Sequence, residues 1–215
     1  MGLLRTAFRL LPVNLKNELW VIRNKKSKNA IIKKWELNGK PLPTPHAVKQ
    51  LAIEYYKNKH SIEVMVETGT YLGEMVLAQK DNFKKIYSIE LGMDLWKNAE
   101  KKFQKYAHIK ILQGDSGKVL REIVTKLDRK TIFWLDGHYS GGITAKGDKN
   151  CPVYEELDAI FNNNKWGHVL LIDDAREFKG VGDYPKLEEL ESYIKSKNAS
   201  YQIEVKDDII RCEVG

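Results

Sequence analysis

From residue 46 onward, short apolar runs alternate with stretches whose apolar residues recur every three or four positions. Runs of the first kind suit buried strands and stretches of the second kind amphipathic helices. HAVKQLAIEYYKNK, with Val48, Leu51, Ala52 and Tyr55 at helical spacing, predicts a helix that leads into a sheet. IEVMVE (62–67) predicts the first strand, GEMVLAQK (73–80) a helix, and KIYSIE (85–90) the second strand. A helix over 93–106, a strand HIKIL (108–112) and a helix SGKVLREIVTKL (116–127) follow. TIFWLD (131–136) is the fourth predicted strand, and a polar loop then runs to Asn150. A helix from Pro152 to Asn162, the strand HVLLID (168–173) and a helix over 185–197 precede two closing strands, YQIEVK (201–206) and DIIRCEV (208–214).

Strands separated by helices of this length imply βαβ units and a parallel sheet covered on both faces. The last two strands are joined too tightly for a crossover helix, so they must be antiparallel. The predicted class is therefore α/β: a Rossmann-like sheet of five parallel strands with a C-terminal antiparallel hairpin. Such a sheet resembles that of class I methyltransferases.

Charge divides the chain. Residues 1–40 hold ten Lys or Arg against Glu18 and Glu36, whereas the whole chain is only +7, so the other 175 residues sum to −1. The breakers Asn38-Gly39-Lys40-Pro41-Leu42-Pro43 mark a boundary between a basic amphipathic arm (1–40) and a catalytic domain (41–215). The arm mixes its cations with Leu3, Leu4, Phe8, Leu10, Leu11, Trp20 and Ile22. It is a candidate for peripheral contact with an anionic membrane surface, or for packing on its own core or on a second copy in a homo-oligomer. A nearly neutral domain argues against a nucleic-acid partner. No apolar run reaches the roughly 20 residues needed to cross a bilayer. Cys151 and Cys212 have no metal or redox spacing. The expected location is cytoplasmic, with the arm able to reach the inner membrane surface.

In such sheets ligands bind beyond the carboxyl ends of the strands, near the point where strand order reverses. The first strand ends in Glu67-Thr68-Gly69-Thr70-Tyr71-Leu72-Gly73. Gly69 allows a sharp turn close to a ligand, and Gly73 lets the next helix start near the sheet. The second strand ends in Glu90, 23 residues after Glu67, where a carboxylate can accept from both hydroxyls of a ribose. The third strand leads to Gly114-Asp115-Ser116, with Asp115 placed to accept from an adenine amine and Ser116 to cap the next helix. Structural roles, as turns and caps, are the competing reading for each.

ETGTYLG, SIELG and QGDS resemble the first three cofactor motifs of class I S-adenosylmethionine-dependent methyltransferases, over residues 62–214. The resemblance implies that Glu67, Gly69 and Thr70 surround the methionine part of the cofactor, with Thr68 and Gly73 also among the cofactor-binding residues. It likewise implies Glu90 at the ribose, and Asp115 and Ser116 at the adenine. The family loop commonly carries three glycines; here Tyr71 takes the middle place.

The fourth strand ends in Asp136-Gly137-His138 and the fifth in Asp173-Asp174. If the two strands are neighbours, three carboxylates meet and need a cation or protons to coexist. An all-oxygen set suits Mg²⁺ or Ca²⁺. Asp136, Asp173 and Asp174 are therefore the candidate metal ligands, with Asp136 also counted among the cofactor-binding and catalytic residues. The arrangement resembles the Mg²⁺-dependent sugar O-methyltransferases of the macrocin type and related cephalosporin-hydroxylase-like proteins. In that setting the ion would hold a substrate hydroxyl and His138 would take its proton. The competing reading has one Asp capping a helix and another bound to Arg176.

The loop 137–150 is long enough to be a binding segment, with Tyr139, Ser140, Thr144 and Lys146 as candidates to shape an acceptor pocket. His46 and Lys49 could close the cofactor side, although Lys49 reads more simply as ordinary surface charge. The expected activity is O-methylation of a sugar, glycan or related small-molecule hydroxyl. The alternatives are a non-catalytic or membrane-peripheral cofactor-binding protein of the same fold, and an NAD-dependent oxidoreductase. The second lacks support from a G-x-G-x-x-G loop.

Overall fold

The computed structural model describes residues 27–137, 151–162 and 165–214. A helix over 27–37 (α1) is followed by α2 (His46–Lys59), β1 (Val64–Thr68), α3 (Glu74–Gln79), β2 (Lys85–Glu90) and α4 (Met93–Phe103). Then come β3 (Ile109–Gln113), α5 (Ser116–Val124), β4 (Ile132–Leu135), α6 (Val153–Phe161) and β5 (Val169–Ile172). A 3₁₀ turn (Ala175–Glu177), α7 (Leu187–Lys197), β6 (Tyr201–Lys206) and β7 (Ile209–Val214) complete it.

The apolar runs become central strands because helices cover the sheet on both sides. Every residue of β1, β4 and β5 is buried. Alternate side chains point to opposite faces, which divides the core in two. Val66, Ile89, Phe133, Leu135, Leu170 and Ile172 pack with Leu120 of α5, Leu157 and Ile160 of α6, and Leu190 and Ile194 of α7. Met65, Ile86, Ile132, Trp134 and Leu171 pack with Ile53 and Tyr56 of α2, Val76 and Leu77 of α3, and Phe103 of α4.

The strand order is β3-β2-β1-β4-β5-β7-β6. β1 pairs in parallel with both β2 and β4, so the order reverses between β1 and β4. β7 runs antiparallel to β5 and to β6. Asp207 and Asp208, both at positive φ (53° and 61°), join β6 to β7. A two-residue turn of this conformation matches the twist of the strands it connects. The predicted sheet, five parallel strands and a closing antiparallel hairpin, is thus the observed one.

Among the described residues, the differences lie at element ends, in α1 and in the 3₁₀ turn. β1 starts at Val64 rather than Ile62, because the Ile62 N–H donates to the Lys57 carbonyl (2.9 Å) and belongs to the end of α2. Part of the basic arm is held against the domain. Lys28 of α1 pairs with Glu54 of α2 (2.6 Å). Trp35 is buried, and its Nε1–H donates to the Pro41 carbonyl (2.8 Å). Residues 1–26, the bulk of the expected membrane-surface segment, lie outside the described residues.

Candidate functional site

The end of β1 turns back at once, and the turn is built for close approach. Gly69 has φ +81°, and a Cβ there would sit 2.2 Å from the Asp136 carbonyl oxygen at the head of β4. Gly73, at φ +67°, caps α3, and a Cβ would meet the Phe103 ring at 2.7 Å. Only glycine meets both demands without displacing a neighbour. Tyr71, in the place where the resembled family carries glycine, also adopts a positive φ (48°). A left-handed conformation costs roughly 1 kcal/mol or more for a residue with a Cβ.

That conformation has a use. The Tyr71 N–H donates to one oxygen of Glu90 (2.8 Å), and the Gly92 N–H donates to the other (2.8 Å). Glu90 is buried and held from both sides at the end of β2, one strand from the point of reversal. Each oxygen has a further lone pair for a hydroxyl donor.

Beneath the turn runs a buried polar chain. The Thr70 and Ser88 hydroxyls are 2.6 Å apart, and Ser88 donates to Glu67. Burial pushes the Glu67 carboxyl up to about 8; the Ser88 hydrogen bond opposes this, and the nearby Asp136 and Glu90 charges add to it. Glu67 is therefore largely protonated at neutral pH. Thr68 Oγ1 accepts from the Asp136 N–H (3.2 Å) and ties the two central strand ends together. Asp115, not Ser116, is the cap of α5: its carboxylate accepts from the Lys118 N–H (3.1 Å), and Ser116 is the first helical residue. Both stand at the end of β3, on the same edge of the sheet as Glu90 and Gly69.

β4 and β5 are neighbours, with Leu135 opposite Ile172, so Asp136 and Asp173 follow as adjacent strand heads. What meets the acids is a lysine. Lys49 of α2 contacts Asp173, which is fully buried, and lies 3.4 Å from Asp174. Burial pulls the Lys49 ammonium down, but Asp173, Asp136 and Asp174 together hold it above its ordinary value. Burial raises the Asp173 carboxyl against the pull of Lys49. The Asp174 N–H donates to Asp173 (2.8 Å), and Asp174 is bound by Arg176 (2.7 Å), which also pairs with Asp208 of the β6–β7 turn.

These carboxylates do not fit a resident Mg²⁺. Among the described residues, no three or more His, Cys, Asp or Glu side chains are grouped to hold a metal ion. Asp173 and Asp174 already have cationic partners in protein side chains. The expected metal site of Asp136, Asp173 and Asp174 thus gives way to the competing reading in which Arg176 binds one of the acids. Lys49, a candidate to close the cofactor side that reads more simply from the sequence as surface charge, is instead the partner of the strand-end acids. Its signal was its place, at helical spacing from His46 in the helix that leads into β1. His46 itself is neutral: burial, then Lys49 and Lys28, lower it to about 4, and its Nδ1 lies 2.8 Å from Gln50 Nε2. Burial raises the Tyr184 phenol, and the neighbouring Cys151, Asp174, Glu177 and Asp136 add to this. His138, Tyr139, Ser140, Thr144 and Lys146 lie outside the described residues.

No protein-family model and no curated protein matches the sequence. Solved structures do match the fold. A methyltransferase of Podospora anserina, PaMTH1, with S-adenosylhomocysteine bound, is 15% identical over 96% of this chain and 98% of its own (TM-score 0.53). A putative caffeoyl-CoA O-methyltransferase from Staphylococcus aureus is 12% identical over 94% and 100% (TM-score 0.54). An O-methyltransferase from Bacillus cereus, also with S-adenosylhomocysteine, is 11% identical over 88% and 91% (TM-score 0.55). The chain shares the fold of these methyltransferases. Among the described residues, no helix is long and apolar enough to cross a membrane.

Proposed function

We propose that this chain is an S-adenosylmethionine-dependent O-methyltransferase acting on a hydroxyl of a sugar, glycan or related small molecule. The observation that carries the reading is the double backbone grip on Glu90 at the end of β2, beside a left-handed first turn, in a sheet of methyltransferase order. Structures of the same fold with S-adenosylhomocysteine bound support it.

When bound, the cofactor supplies an electrophilic methyl group on a sulfonium. The chain's own residues have the remaining work. Glu90 accepts the ribose hydroxyls with oxygens already fixed by the Tyr71 and Gly92 N–H groups, so little is lost in ordering the site. Gly69 brings the β1 turn against Asp136, which sets the cofactor side close to the acceptor side. Asp115 and Ser116 stand on the same edge to meet the adenine. Transfer needs an in-line approach of the acceptor oxygen, so positioning supplies much of the rate. His138, two residues beyond Asp136, is the proposed base, since imidazole titrates near working pH.

The test is transfer of a labelled methyl group to a panel of sugars, glycans and phenols by the full chain, with NAD⁺ binding measured alongside. Label on a hydroxyl, lost in Glu90→Ala, is the expected result. Tight NAD⁺ binding with no response to S-adenosylmethionine would refute it in favour of an oxidoreductase.

A further inference from the structure

We propose that Lys49 is the built-in cation of the acceptor side, standing where a divalent ion would otherwise neutralise the strand-end acids, so that the reaction runs without one. This rests on the methyltransferase reading for what the acceptor side is; the charge arrangement itself stands on geometry alone.

The strand heads after β4 and β5 bring Asp136, Asp173 and Asp174 to one edge of the sheet. Carboxylates gathered in this way need positive charge nearby. Lys49 supplies it from a different element. Its ammonium contacts Asp173, is 3.4 Å from Asp174, and its side chain is only 14% exposed. α2 is a firm platform for it. Ile53 and Tyr56 anchor the helix in the core, and the Gln79 side chain donates to the Gln50 carbonyl, the residue after Lys49 (3.3 Å). Arg176 binds the same Asp174 oxygen, Oδ1, and bridges Asp174 to Asp208. Mg²⁺ needs near-octahedral oxygen ligands, and an ammonium in contact with two of the three candidate carboxylates both occupies them and repels a second cation. A lysine also remains in place at any ambient metal concentration.

The experiment uses Mn²⁺ alone as the probe, followed by electron paramagnetic resonance on the full chain. Circular dichroism of the same samples reports on folding, and S-adenosylhomocysteine calorimetry reports on the cofactor reading. Wild type is expected to leave the free Mn²⁺ signal unchanged. Lys49→Ala should bind Mn²⁺ at least about tenfold more tightly, the minimum effect of removing a unit charge at contact distance. Asp173→Asn in the Lys49→Ala background should abolish the gain. A merely structural Lys49 would not create a metal site when removed. Lys49→Met, which keeps the apolar stem, serves if the alanine variant does not fold. Micromolar Mn²⁺ binding by wild type that is lost in Asp173→Asn would overturn the proposal, as would a folded Lys49 variant with no gain. Failure to bind S-adenosylhomocysteine would count against the function, not against the charge arrangement.

Discussion

Glu67→Gln separates burial from charge at the end of β1. The wild-type carboxyl is almost wholly buried and pushed up to about 8, from an ordinary 4.5. In the unfolded chain it ionises near 4.5, so folding retains a proton between the two values. The stability this carries is fully present below 4.5 and declines as pH rises toward 8. Two buried histidines pull the other way. His46 and His168 are lowered from 6.5 to about 4 by burial, so their contribution is lost as pH falls below 6.5. The window from 6.5 to 8 therefore isolates Glu67 from both. One extra proton on the folded state there means a fall of about 1.4 kcal/mol per pH unit, or about 2 kcal/mol across the window, as an upper bound. An amide keeps a hydrogen bond with Ser88 and does not titrate. Urea unfolding of wild type and variant at half-unit pH steps reads the difference directly, with m-values checked for constancy. The variant's curve should be flatter than wild type from pH 6.5 to 8. Parallel curves would mean that Glu67 is ionised in the folded protein and that the buried polar chain has been misread.

Two further perturbations probe other parts of the same edge. Gly69→Ala places a methyl 2.2 Å from the Asp136 carbonyl at a φ of +81°. The left-handed conformation alone costs about 1–2 kcal/mol, and moving backbone adds to it, so a loss of at least about 3 kcal/mol is expected in denaturant unfolding. A loss under 1 kcal/mol would show that the turn relaxes freely. Lys49→Met leaves Asp173 buried without its partner and should cost about 3–5 kcal/mol, much of which the double variant Lys49→Met with Asp173→Asn recovers. Strict additivity of the two single changes would deny the pairing.

Where the sequence was legible, the reason is periodicity. β2 and β6 begin and end where KIYSIE and YQIEVK do, because a run buried after its first lysine and a turn-bounded edge strand each carry their own limits. The turn chemistry around Gly69 and the acid at Glu90 were visible because backbone conformation and strand ends constrain residue type. The partner of the acids was not visible. Lys49 and Asp173 are 124 positions apart, and nothing local in either segment says that α2 brings an ammonium to the head of β5. The Glu90 grip was half legible: the carboxylate could be assigned, but its donors are backbone N–H groups, one of them at Tyr71 in a conformation that its side chain argues against. α1 escaped notice because dense Lys and Asn content hides a helix whose anchor is the single buried Trp35.

Glu90, gripped by two backbone N–H groups, is proposed to receive the ribose of an adenosyl cofactor. Calorimetric titration of the full chain with S-adenosylhomocysteine, for wild type and Glu90→Ala, tests it most directly. A measurable affinity in wild type that falls at least about tenfold in the variant, the loss of one to two charge-assisted hydrogen bonds, is the predicted result. Equal affinity in the two proteins, or none in either, would contradict it.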